Sequence, residues 1–541
     1  MFPYVTESFS AEEQEILRRY FTNLDRPVFA LVNLPEVVKG ALFARYSRSP
    51  KSLRRLFLDE FVRDLDISGD ISIDATVGLK RAEDLYEKVF LEYGDDSVAQ
   101  LGGVHLACEQ ASNLLTKVLE RGRLMAYLEQ STRYINYDSR LSNGQFRYYR
   151  PPEILDSPLG AKYIGEMDRL FDTYAELLPK MQSWLTMTLP KKASDSDFVY
   201  RQAIRAKALD SLRGILPTGA ISNVGVYGTG QSFEMLLMRM NVDPLPEARS
   251  YAEMMLEELR KVIPSFLQRV DRLDRGVEWS DYFAKTRADT SEVVKSLEIG
   301  LEQQEVSPRS DVTLVEFDPY GEDKVLAAIY YSHSHLEERR CLDLIKSLSQ
   351  ADKQRLLKSY VGERSNRRHK PGRAFERTEY SFDLITDYGA FRDLQRHRML
   401  TLEWQKLDHR LGFEMPEIVG EAGLADEFMQ AMERSSELYL ALLQDFPAQA
   451  AYALSLAYRI RYSIRINARE AMHLIELRSG RQGHSAYRRV AQSMHDAIAN
   501  QAGHRLLADS MSFVDYGSDD LERLESERSA ELRRNRQEGS N

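Results

Sequence analysis

A chain that repeats itself must fold as copies of one design, and here two short segments recur in the same order. Ala41-Leu42-Phe43-Ala44-Arg45-Tyr46-Ser47-Arg48-Ser49 resembles Leu326-Ala327-Ala328-Ile329-Tyr330-Tyr331-Ser332-His333-Ser334, and each is followed by a basic, helix-prone stretch. Further on, Arg121-Gly122-Arg123 aligns with Arg396-His397-Arg398. The offsets, 285 residues (41 to 326) and 275 (121 to 396), differ by an amount that loop insertions absorb. A length of 541 residues also exceeds what one hydrophobic core supports. The boundary falls near residues 285–312, where Lys285-Thr286-Arg287-Ala288-Asp289-Thr290 and Glu305-Val306-Ser307-Pro308-Arg309-Ser310 are polar and the second contains a breaker. Beyond it, Asp311–Phe317 reads as a β-branched strand, Asp318-Pro319-Tyr320-Gly321 as a turn and Glu322–Tyr331 as an amphipathic helix, the opening of an α/β domain. Apolar residues at three- and four-residue intervals predict helices over Pro246–Val270 and Leu424–Leu443. The expected division is a first domain over 1–300, a second over 311–517, and a charged, fraying tail over 518–541.

Hydrophobic residues at 43% and charged residues at 29% describe a globular protein rather than a disordered one. The two cysteines, Cys108 and Cys341, sit in different halves without a CxxC, which argues against a disulfide framework or a structural zinc site and fits a reducing cytoplasm. The start, Met1-Phe2-Pro3-Tyr4 followed by Glu12, Glu13 and Glu15, lacks the features of a signal peptide, and no stretch nears the roughly 20 apolar residues of a membrane span. No membrane partner is therefore expected. A net charge of −10 argues against broad binding to nucleic acid, and the arginines between Arg459 and Arg489 read as a solvated helix face. Gly228-Thr229-Gly230 is a lone GxG without the rest of a dinucleotide fingerprint and reads as a distortion in a helix. His333-Ser334-His335 matches no metal-ligand spacing, and no metal is expected.

The segment Arg121-Gly-Arg-Leu-Met-Ala-Tyr-Leu-Glu129-Gln130-Ser131-Thr132-Arg133-Tyr134 resembles the RHRxxSxNExSxRY signature of the flavin-dependent thymidylate synthases. The second half opens that signature faithfully, with Arg396-His397-Arg398 and Thr401, then departs: Trp404, Lys406 and Asp408 stand for the family's glutamate, serine and arginine. The first half departs in the opposite places, with Gly122, Ala126 and Leu128 for the histidine, serine and asparagine. The family's RxxxP element survives as Arg213-Gly-Ile-Leu-Pro217, with Ala451 at the matching place in the second half. Its NxRxxxHxxxxR helix survives as Asn467-Ala-Arg469-Glu-Ala-Met-His473-Leu-Ile-Glu-Leu-Arg478, whereas the first half has Thr229, Gln231, Met235 and Met240. Phe375-Glu376 resembles the family's flavin-contacting FE pair; Gln100, after Tyr93-Gly94-Asp95-Asp96-Ser97, stands there in the first half. The family's glutamine before RHR is replaced by Asp393 and by Val118.

The resemblance implies two tandem α/β (α+β) domains, each a mixed or antiparallel sheet flanked by helices. It implies FAD-dependent methyl transfer to deoxyuridine monophosphate, with methylenetetrahydrofolate as carbon donor and NADPH as reductant. In that reading one composite site is live, with a nucleotide-gripping set from the first half and a flavin set from the second. Glu129, Gln130, Ser131, Arg133, Arg213, Arg396 and Arg478 are the substrate candidates, since guanidinium forks match phosphate oxygens. Arg478 is the candidate catalytic residue, drawing charge onto the amide edge of the uracil. Glu376, Arg396, His397, Arg398, Asn467, Arg469 and His473 are the flavin candidates. Family members are tetramers of single units, so a homodimer of this double-length chain would imitate one. Two alternatives stay open: a flavoenzyme acting on another pyrimidine nucleotide or with another donor, and a non-catalytic nucleotide-binding scaffold.

Overall fold

A computed structural model describes residues 4–34, 36–62, 100, 102–192, 196–297, 311–481 and 483–517. The Tyr93–Ser97 segment, Glu305–Ser310 and the tail over 518–541 lie outside the described residues.

Each half builds the same antiparallel sheet. In the first, β1 (Val28–Leu31), β2 (Gly103–Ser112), β3 (Ala126–Glu129) and β4 (Ile221–Thr229) lie in the order β1-β2-β4-β3. In the second, β5 (Val312–Phe317), β6 (Glu379–Asp387), β7 (Leu400–Trp404) and β8 (Arg459–Asn467) lie in the order β5-β6-β8-β7. β8 shows why: Ile460, Tyr462, Ile464 and Ile466 are buried, while Ser463 and Arg465 between them face outward. That period of two belongs to a strand, so the first arginines of the Arg459–Arg489 run sit on a strand and not on the expected helix face. The strand and helix expected after Asp311 are present as β5 and the helix Gly321–Tyr331.

The repeat extends to the caps. β2 ends at Ser112, which caps the helix Asn113–Leu119, and β6 ends at Asp387, which caps Tyr388–Gln395. Likewise Thr229 caps Gly230–Asn241 and Asn467 caps Ala468–Arg478. The Gly228-Thr229-Gly230 run is therefore a strand-to-helix junction rather than a distortion, because Thr229 supplies the oxygen that takes the Ser232 N–H. The helix Glu278–Leu297 runs through Lys285–Thr290, where a boundary was expected, since those polar residues include no glycine or proline to stop it.

The chain forms two compact units that do not follow its sequence halves. The first comprises Met1–Glu176, Ile215–Glu305 and Met429–Ser455, and holds the β1–β4 sheet. Within it Tyr452 donates to the Glu247 carboxylate at 2.7 Å, which also accepts from Ser112 N (2.8 Å) and Oγ (2.6 Å). Burial pushes Glu247 up to about 7. The second unit comprises Leu177–Gly214, Val306–Phe428 and Leu456–Asn541, and holds the β5–β8 sheet. Within it the helix Asp197–Leu212 delivers Arg213, and Gly214 lies so close to Ala457 and Phe428 that an added Cβ would stand 3.1 and 3.3 Å from them. Among the described residues, no helix is long and apolar enough to cross a membrane.

Candidate functional site

In the second unit, two strand-to-helix junctions bring the conspicuous side chains together. The helix Tyr388–Gln395 ends at Arg396, so His397 and Arg398 follow it into β7. The helix Ala468–Arg478 presents Glu470, His473 and Arg478 to His397. His397 Nδ1 lies 3.1 Å from Glu470 Oε1, its ring meets His473 at 5.4 Å between centroids, and Arg478 Nε donates to its Nε2 at 3.0 Å. A guanidinium only donates, so Nε2 carries no proton and Nδ1–H points at Glu470: the imidazole is neutral and its tautomer fixed. Burial, reinforced by the Arg478 and Arg396 charges, holds His397 well below its ordinary pKa. Burial likewise lowers His473 to about 4 and raises Glu470.

Next to this group one carboxylate meets three guanidiniums. Asp393 pairs with Arg396, with Arg213 Nη1 at 3.6 Å and with Arg478 Nη1 at 3.7 Å, and its backbone carbonyl accepts from Arg478 Nη2 at 2.5 Å. Arg213 comes from the first sequence half and is 4% exposed, and its Nη2 is buried without a hydrogen-bond partner among the described residues. Asp210 Oδ1 lies 3.8 Å from its Nε, and the Arg213 charge also acts on the Asp387 carboxyl. A Cβ on Gly389 would stand 2.8 Å from Asp387 Oδ1 and 3.3 Å from Arg213 Nη2, so the bare helix start gives the guanidinium its room. Burial and the Glu414 charge push Asp387 up to about 7.

The remaining second-half candidates divide. Arg469 turns away from His473: its Nε donates to Pro371 O at 2.9 Å and its Nη1 lies 3.4 Å from Glu376 Oε1. Asn467 uses its side-chain oxygen to cap its own helix through the Glu470 N–H at 2.9 Å. Arg398 is exposed. Arg396 acts on the neutral His397 and both Arg398 and Arg469 act on Glu470 beside it, so the group has a set of cationic donors that fits an anionic dinucleotide. His397, Glu470 and His473 also offer ligand atoms within 4.8 Å of one another. Arg478 already occupies His397 Nε2, however, and two guanidiniums beside the group oppose a cation.

The first unit holds the other candidates. Glu129 is 4% exposed, with Oε2 3.3 Å from Lys117 Nζ, which also pairs with Glu120. Gln130 is buried, donating its side-chain amide to Ser49 O (2.6 Å) and its backbone N–H to Asn223 O (2.8 Å). Ser131 Oγ accepts from Arg133 N at 3.3 Å. Glu470 and Asp210 escaped the sequence reading. Glu470 had a signal, since it lies three residues before His473 and so shares a helix face with it.

The model of the thymidylate synthase complementing protein family matches residues 45–265 and 313–502. A UPF0159 protein from Chlamydia muridarum is 39% identical over 523 residues, covering 96% of this chain and 98% of its own. UPF0159 protein Ta1429 from Thermoplasma acidophilum is 31% identical over 528 residues, covering 92% and 98%. A flavin-dependent thymidylate synthase from Clostridium tetani is 26% identical over 183 residues, covering 33% of this chain and 67% of its own. Matched over both halves, and through most of its length, the chain belongs to the thymidylate synthase complementing protein family.

Proposed function

We propose that the protein transfers a one-carbon unit to deoxyuridine monophosphate to give thymidylate, with FAD as cofactor, methylenetetrahydrofolate as carbon donor and NADPH as reductant. The observation that carries this reading is the presence of Arg213, from the first sequence half, beside Asp393, Arg396 and Arg478 of the second within one compact unit. In this reading, FAD when bound supplies the hydride chemistry, and the protein contributes binding and orientation. Arg396, Arg398, Asn467, Arg469, His473 and Glu376 hold the cofactor, with His397 kept neutral by its two hydrogen bonds. Arg213 presents its unsatisfied Nη2 to the phosphate, and Arg133, Ser131, Gln130 and Glu129 of the first unit are nucleotide candidates by the resemblance alone. Arg478 draws charge toward the amide edge of the uracil and makes the ring carbon nucleophilic.

The test is flavin absorbance of the purified chain and its perturbation by deoxyuridine monophosphate. Arg133→Ala and Arg478→Ala are each expected to abolish nucleotide-dependent turnover, while Lys406→Ala leaves it. Equal losses from all three would refute the reading, and a colourless protein that takes up no FAD would replace it with a scaffold. A second reading, action on another pyrimidine nucleotide, draws support from the carboxylate of Asp393 among the arginines. Stronger binding of a cytidine or ribonucleotide analogue than of deoxyuridine monophosphate would favour it.

A further inference from the structure

We infer that Asp393 is the specificity-determining residue of the arginine cluster, an internal anion beside Arg213 that opposes the substrate phosphate there. The inference rests on the proposed nucleotide site and concerns how strongly that site rewards a phosphate.

The geometry is that of a ligand already in place. Three guanidiniums from three separate chain segments converge on one carboxylate that is itself buried at 7% exposure. Converging arginines ordinarily mark where an external anion binds, because each offers a fork of donors that no single surface carboxylate can satisfy. Here the carboxylate belongs to the helix Tyr388–Gln395 and cannot leave. It removes one unit of the cluster's positive charge and engages donors on Arg396 and Arg478. It does not satisfy Arg213, whose Nη1 stays at 3.6 Å from it and whose Nη2 has no hydrogen-bond partner among the described residues. An incoming phosphate can therefore take Arg213, but with a carboxylate of its own sign a few ångströms away. Like charges that close in a partly buried site repel strongly enough to change affinity by an order of magnitude or more. The preferred substrate is then one recognised mainly through its base and sugar, with the phosphate adding less than Arg213 would supply without that carboxylate.

The test compares wild-type holoprotein with Asp393→Asn and Asp393→Gln, which remove the charge, and Asp393→Glu, which keeps it. Calorimetry measures binding of deoxyuridine monophosphate and of deoxyuridine to each, and thermal melts check folding. The ratio of nucleotide to nucleoside affinity is expected to rise about tenfold or more in the neutral variants, with the glutamate variant keeping the wild-type ratio. A folded neutral variant whose ratio stays level or falls would overturn the inference and leave the site reading intact, since Asp393 would then only order the arginines. Failure of every protein, wild type included, to bind either compound would remove the site reading and this inference with it.

Discussion

Arg478 directs its guanidinium two ways at once: Nε to His397 Nε2, and both terminal nitrogens to Asp393, through the backbone carbonyl and the carboxylate. It also lies over the Tyr487 ring at 5.4 Å. The fork is what fixes the histidine tautomer while holding the acid, and a lysine has the charge without the fork. Arg478→Lys is therefore expected to lower kcat/KM by roughly a hundredfold, because two charge-assisted hydrogen bonds at about 1.5–3 kcal/mol each cannot both be kept by one ammonium. Steady-state kinetics with deoxyuridine monophosphate reads this, and activity within about threefold of wild type would show that charge alone suffices. At this scale a spaced signature named Arg396, His397, Arg398 and Arg478 as candidates, and the fold gathers Arg396, His397 and Arg478 around Asp393. It did not disclose that Glu470 would orient His397, because that pairing spans 73 residues and depends on how β8 turns into its helix.

Arg213 owes its position to three elements of the second unit. The helix Asp197–Leu212 carries it, the close packing of Gly214 on Ala457 and Phe428 sets the turn, and the start of Tyr388–Gln395 leaves space at Gly389. Gly389→Ala places a methyl 3.3 Å from Arg213 Nη2 and 2.8 Å from Asp387 Oδ1, so one of those groups must shift. Alanine is better than glycine within a helix by about 0.5–1 kcal/mol, which offsets much of the crowding. The expected result is a melting temperature near that of wild type with several-fold weaker binding of deoxyuridine monophosphate, measured by calorimetry beside the melt. A large drop in melting temperature with unchanged affinity would mean the glycine serves packing and not the arginine. Elements with a clean period were legible, as β5 and the helix after it show. The helix Glu278–Leu297 was not, since only Ser280 of its residues is buried and it has little apolar stripe to read.

Across the whole chain, the repeat foretold two sheets of one design, and the structure has two with equivalent strand order. It did not foretell that Leu177–Gly214 joins the second unit and Met429–Ser455 the first, because an amphipathic face records that a helix is buried without recording against what. The two copies have also diverged chemically. Where the second unit has Asn467, Arg469, His473 and Arg478, the equivalent junction and helix of the first have Thr229, Gln231, Met235 and Met240, with Met240 fully buried. Thioether side chains offer an anionic cofactor neither charge nor a strong donor. One FAD per 541-residue chain is therefore expected, measured as flavin absorbance against protein concentration in saturated, desalted samples. Arg396→Ala combined with Arg469→Ala removes two of the cationic donors assigned to the cofactor, and should take the ratio toward zero rather than to half of its starting value. A ratio of two in the wild type, or a residue of one in that double variant, would mean that the first unit also holds a flavin and that the copies have not divided the work.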